Sequence, residues 1–174
     1  MEFVVPSKKY LESYYSACQE MWNNIHNNYI IHNPQDYEIW KNTIFEEFKN
    51  NEHGINLPEG FVPSVTYWIV SNGEYIGTIN IRLKLSEQLK KYGGHIGVAI
   101  RPSRQSGMYG FKASLWAFNK AHELGISPVL ATCFKSNRSS LRFMTSKYSN
   151  YYKIEEDTLE EGGKTHEIVR FWYK

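Results

Sequence analysis

The chain has 174 residues, 41% of them hydrophobic and 16% aromatic, which supplies one domain with a packed core and argues against a disordered chain. Its formal net charge is +2 and its lysines and arginines are spread along the chain, without the basic patch or stripe of a dedicated nucleic-acid-binding protein. Two cysteines, Cys18 and Cys133, make no disulfide framework, and no stretch approaches the roughly 18 unbroken apolar residues of a membrane span, so a cytoplasmic protein with reduced thiols is expected.

The opening residues Met1–Pro6 soon give way to charge and do not read as a signal peptide. Phe3–Val5 is a short strand ended by Pro6. Ser7 is placed to cap a helix whose apolar positions run Leu11, Tyr14, Cys18, Met21. The Asn-rich residues 23–33 read as a loop. A second helix follows Pro34, with Tyr37, Trp40, Ile44 and Phe48 on one face, and residues 50–64 read as an irregular connection. From Val65 the period changes to two. Val65–Val70 and Tyr75–Leu85 are strands joined at Ser71-Asn72-Gly73-Glu74, a hairpin signal. A helical turn at Ser86–Tyr92 leads through Gly93-Gly94 to a strand, His95–Arg101, stopped by Pro102.

Phe111, Leu115, Phe118 and Ala121 or His122 then line a helix closed by Gly125. Pro128–Cys133 is a buried strand, Asn137–Lys147 a helix, and Tyr151–Asp157 with Lys164–Tyr173 a last hairpin. The order is β-α-α-β-β-β-α-β-α-β-β, in one domain spanning 1–174. Residues 95–133 form a β-α-β unit whose outer strands are expected to run parallel. The first turn of that unit, Gln105-Ser106-Gly107-Met108-Tyr109-Gly110, opens a helix where unpaired N–H groups can hold an anion. No Walker loop or dinucleotide fingerprint accompanies it.

The blocks LPEGFVPSVTYWIV, GTINIRLKLSEQL, GGHIGVAIRPS and LGISPVLATCFKSN, with the element order, resemble a bacterial group of acetyltransferases within the GNAT-type N-acetyltransferases over nearly the whole chain. The resemblance implies an α/β (α+β) acyl-CoA N-acyltransferase fold. Its mixed, mostly antiparallel sheet has helices on both faces and one splayed parallel pair, His95–Arg101 beside Pro128–Cys133. It implies acetyl-CoA as cosubstrate, wedged in that gap, and a small-molecule or peptide amine as acceptor. On the family's pattern Val98 and Ile100 pair through their main chain with the pantetheine arm. Gln105, Ser106, Gly107, Met108, Tyr109 and Gly110 cradle the pyrophosphate, and Asn137 bonds the cofactor arm.

The chain departs from the family in three places. Met108 stands where the loop has its first glycine, Met144 where many members carry a proton-donating Tyr, and Tyr148 where a Gly closes the helix. His95 is the titratable group nearest the strand position where several members carry a basic Glu, and its ordinary pKa of about 6.5 suits a base; packing at the strand start is the other reading. Tyr148, Tyr151 and Tyr152 are candidates for the acid. Glu46-Glu47 either form a solvated face or line an acceptor-amine site. No metal-ligand spacing is present. Two functions stay open: an N-acetyltransferase, monomeric or homodimeric, with no nucleic-acid or membrane partner, and a catalytically degenerate module that binds coenzyme A weakly or binds a protein.

Overall fold

The computed structural model describes residues 1–22, 32–105, 108–146 and 150–174. In chain order the elements are β1 (Glu2–Val4), α1 (Leu11–Trp22), α2 (Tyr37–Trp40), α3 (Ile44–His53), β2 (Ser64–Ser71), β3 (Glu74–Arg82), α4 (Glu87–Lys91), β4 (Ile96–Ile100), α5 (Tyr109–Glu123), β5 (Val129–Phe134), α6 (Arg138–Met144), β6 (Tyr151–Glu161) and β7 (Lys164–Tyr173). Two antiparallel sheets result, ordered β1-β2-β3-β4 and β5-β7-β6.

Local chemistry explains most of this. Asn72 and Gly73 both adopt positive φ, 53° and 80°, as a two-residue hairpin turn requires, and they set Ser71 opposite Glu74. Along β2 the alternation sends Trp68 and Val70 to one face and Ile69 to the other. Trp68 and Val70 join Tyr14, Trp40 and Tyr75 beneath α1–α3. Ile69 joins Ile79, Ile81, Val129 and Phe171 beneath α5. Ala113, Ala117 and Ala121 recur every four residues on α5, so the helix packs closely on that core.

Several expectations need correction. Ser7 makes no side-chain cap, and a 3-10 turn at Lys8–Tyr10 precedes α1 instead. The helix after Pro34 is broken at residues 41–43, and its second part continues to His53, closed by Gly54 at φ 72°. The last hairpin is longer than expected, turning at Gly162-Gly163. The expected splayed parallel pair is not confirmed: among the described residues all ladders are antiparallel, and β4 and β5 are edges of separate sheets. Among the described residues one main-chain hydrogen bond joins the two segments, from His95 N–H to Leu130 O at 2.8 Å. A parallel ladder would continue through the His95 carbonyl, but that group already accepts from Arg82 N–H at 2.8 Å.

Candidate functional site

The two sheets are fastened at Gly93-Gly94-His95. Gly93 N–H donates to Thr132 Oγ1 at 2.8 Å, and Leu130 N–H donates to His95 Nδ1 at 2.9 Å, returning the main-chain bond that His95 gives to Leu130 O. The Arg82 guanidinium donates to the carbonyls of Gly93 and Gly94 at 3.1 and 3.0 Å. Gly94 has φ +60°, and a Cβ there would stand 2.4 Å from Leu130 O. His95 is 9% exposed, and burial, then the Arg82 charge, push its pKa down to about 4. With Nδ1 accepting, the neutral ring carries its proton on Nε2.

Beyond this fastening β4 presents an open edge. Arg82 N–H bonds His95 O and Arg101 N–H bonds Ile76 O, which fixes the ladder's alternation: Gly97 and Ala99, with the His95 carbonyl and the Arg101 N–H, turn to β3. The N–H and C=O groups of Val98 and Ile100 therefore face the edge opposite β5, while their side chains pack on the α5 side. Ile100 O accepts from Gln105 Nε2 at 3.3 Å. The small residues Gly97 and Ala99 face the other way, into a cavity.

The edge leads into the N-terminus of α5. Met108 sits at the cap position with its side chain 57% exposed, turned away from the core, and Tyr109 and Gly110 form the first turn. A Cβ at Gly110 would meet Ile100 Cγ1 at an ordinary 3.7 Å. Ser106 and Gly107 lie outside the described residues, as does Tyr148. The loop before α5 is anchored from α1. Glu20 accepts from Ser103 N–H, from Ser103 Oγ at 3.0 Å and from Arg101 Nε at 2.9 Å, and pairs with Arg101 NH2 at 2.7 Å. Burial works to raise the Glu20 pKa, but the bonds from Ser103 and Arg101 outweigh it and leave it below the usual value. Glu20→Ala should cost roughly 2 kcal/mol, since it takes the carboxylate from the Arg101 guanidinium, which is 13% exposed and keeps its bond to Tyr75 O. Urea denaturation of the variant and wild type checks this.

On the far face of β2–β4 lies a cavity that opens to solvent, with room for water-sized molecules over about 90 Å³. Tyr14 from α1 and Glu47 from α3 line it, and His32 joins them: Tyr14 OH meets His32 Nδ1 at 2.8 Å, and His32 Nε2 meets Glu47 Oε2 at 3.2 Å. Asn80 Nδ2 donates to Ser64 Oγ and Thr66 Oγ1 at 3.0 and 3.3 Å, and Tyr75 OH meets Thr78 Oγ1 at 2.7 Å. Of this set the sequence offers Glu47 alone; His32 sits in a stretch that reads as loop. Glu20 lies 81 residues from its partner Arg101, a pairing that no spacing rule reveals.

Asn137 caps α6, its Oδ1 accepting from Ser140 N–H at 3.1 Å. Met144 is buried. Cys133 is buried too, and burial pushes its thiol up to about 11, so it is not a thiolate near neutrality. Tyr151 and Tyr152 are exposed on β6. No helix among the described residues is long and apolar enough to cross a membrane, and no group of three potential metal ligands occurs among them.

The profile of the acetyltransferase (GNAT) family matches residues 22–148. No curated protein sequence matches the chain. Among solved structures, the microcin C7 self-immunity acetyltransferase in complex with acetyl-CoA and AMP aligns at TM-score 0.63 and 13% identity, over 98% of this chain and 89% of that one. An N-acetyltransferase from Staphylococcus aureus Mu50 aligns at 0.63 and 12%, over 99% and 97%. The ribosomal L7/L12 alpha-N-protein acetyltransferase in complex with coenzyme A aligns at 0.63 and 12%, over 98% and 91%. At such identities the likeness is one of fold.

Proposed function

This chain belongs to the acetyltransferase (GNAT) family, and from that premise we propose that it transfers the acetyl group of acetyl-CoA to an amine along the open edge of β4. The observation that carries the reading is the continuity of that edge with the first turn of α5. The N–H groups of Val98 and Ile100 line the approach, and α5 then offers N–H groups that have no partner inside the helix. Thioester aminolysis needs donors for the tetrahedral oxyanion, and main-chain N–H groups on a rigid strand can supply them whatever the neighbouring side chains are. Tyr109 and Gly110 hold the pyrophosphate in this reading. Gly110 permits close approach, and Met108, turned outward, does not block it. Gln105 braces the edge through Ile100 O.

His95 is a positioning residue in this reading, holding β4 and β5 at the head of the cleft. Its Nδ1 is occupied and its environment disfavours a charge, which suits it poorly to collect a proton. Asn137 shapes the cleft by capping α6. Tyr148 is the acid that protonates the departing thiolate.

Calorimetry with acetyl-CoA, followed by detection of free thiol on adding an amine, tests the proposal. Binding with amine-dependent thiol release supports transfer; binding with no release from any amine favours a degenerate binding module. Gly110 refines the test. Gly110→Ala should raise the melting temperature slightly, since Gly costs a helix roughly 0.5–1 kcal/mol relative to Ala, and should still bind. Gly110→Val should weaken acetyl-CoA binding by roughly tenfold, the equivalent of about 1.4 kcal/mol.

A further inference from the structure

The cavity on the far face of β2–β4 says what kind of amine the chain accepts. Its charged lining among the described residues is one carboxylate, Glu47, and one guanidinium, Arg82, the latter engaged with the carbonyls of Gly93 and Gly94. Much of the remaining wall is apolar, with Phe48, Leu57, Phe61 and Val62 on one side. Along the sheet floor, Thr78 and Asn80 supply uncharged polar atoms. Asn80 Nδ2 is committed to the hydroxyls of Ser64 and Thr66, so its Oδ1 is the atom left to accept from a ligand N–H. Gly97 and Ala99 form its wall on β4, the strand whose edge faces β5, so an amine in the cavity reaches β4 from the side opposite α5.

We propose that the acceptor is a small primary monoamine with an apolar body, seated in this cavity with its ammonium on Glu47. The inference rests on the acetyl-transfer reading. A polyamine would bring a second cation towards Arg82, with no second carboxylate among the described lining residues to receive it. Glu47 Oε2 is held by His32 Nε2, and His32 is in turn held by Tyr14, whose phenol burial keeps protonated. That chain fixes the carboxylate and leaves Oε1 for the ammonium. Among the described residues the titratable or charged groups around it are Tyr14 from α1, His32 from the segment before α2, and Tyr75 and Arg82 from β3. Glu47 takes one proton from the ammonium and passes it to solvent. The neutral nitrogen attacks the thioester carbonyl, the C–N bond forms, and the C–S bond breaks. The nitrogen gives up a second proton as the amide forms, and the thiolate takes one, so one proton is released per turnover.

The test supplies phenethylamine, tyramine and phenylalaninamide as monoamine probes, with spermidine and an unblocked hexapeptide as competitors, and follows thiol release. A monoamine should give the highest kcat/KM. Glu47→Gln should bind acetyl-CoA as wild type does by calorimetry, yet lose on the order of 100-fold in kcat/KM for that monoamine at pH 7. For phenethylamine and tyramine the deficit should shrink as the pH rises towards the amine's own pKa, about 10, because the substrate then arrives neutral. Failure of the wild type to bind acetyl-CoA would remove the acetyl-transfer reading itself. Binding with spermidine or the hexapeptide as best acceptor, or with no amine driving release, overturns the monoamine proposal alone. An unchanged or pH-independent deficit in Glu47→Gln overturns the role of Glu47.

Discussion

Gly94→Ala is expected to lower stability by at least about 3 kcal/mol, and to take the junction between the sheets with it. Two costs combine. At φ +60° an alanine sits in the left-handed region, which disfavours a Cβ by about 1–2 kcal/mol. Its Cβ would also lie 2.4 Å from Leu130 O, a main-chain atom of β5 that cannot swing aside as a side-chain tip can. Relief requires β5 to retreat, which stretches both bonds between His95 and Leu130. Gly162 provides the control: it has nearly the same φ, +58°, in the β6–β7 turn, with nothing within 4 Å of a built Cβ. Gly162→Ala should therefore show the backbone cost alone, roughly 1 kcal/mol. Urea midpoints of the two variants measure the difference. Equal losses would mean that the contact with Leu130 carries no weight and that Gly94 is simply a turn glycine.

That pair of glycines also marks the boundary of what the sequence tells. Elements specified by neighbours along the chain are legible. Asn72-Gly73 announces its hairpin, the alternation Val65–Val70 announces a strand, and the apolar spacing from Phe111 to Ala121 announces α5. Three forecasts break, the last of them through a distant partner. Ser7 reads as a cap until the chain is seen to enter α1 by a 3-10 turn. The helix after Pro34 breaks at residues 41–43, although its apolar spacing continues unbroken from Trp40 to Ile44. His95 reads as the start of a parallel ladder, yet a side-chain nitrogen replaces a main-chain acceptor there and the ladder stops after one bond.

The site divides in the same way. Val98 and Ile100 follow from family pattern and strand alternation, and the geometry gives their edge a direction. The GGHIG motif is conspicuous in the sequence, but its reason is not: each residue of Gly93-Gly94-His95 meets a different atom set on β5, between 35 and 39 residues away in the bonded pairs. The same distance problem hides His32, which gains meaning when α1 and α3 bring Tyr14 and Glu47 to its two ring nitrogens. Long-range polar pairings of this kind leave no periodic trace.

His95 should also give the protein a pH-dependent stability that a single substitution removes. Its folded pKa of about 4 lies below its unfolded value of about 6.5, so the unfolded chain binds the proton more readily in between. The stability it contributes is therefore complete above about pH 6.5 and is lost as pH falls through about 4, by up to about 3 kcal/mol. The geometry gives the cause a face: a proton on Nδ1 would point at the Leu130 N–H that now donates to it. His95→Asn keeps a short acceptor for that N–H but does not titrate, so its stability should be close to wild type near neutrality and much flatter between pH 6.5 and 4. His95→Phe offers no acceptor and should be weaker at every pH, by about 1–3 kcal/mol for a buried N–H left unpaired. Urea midpoints across that range separate the three proteins. If His95→Asn keeps the full wild-type slope, the titrating group lies elsewhere and the clamp is not what acid opens. If the slope disappears and acetyl-CoA affinity in the wild type declines over the same interval, the fastening of β4 to β5 and the shape of the cleft are one mechanical unit.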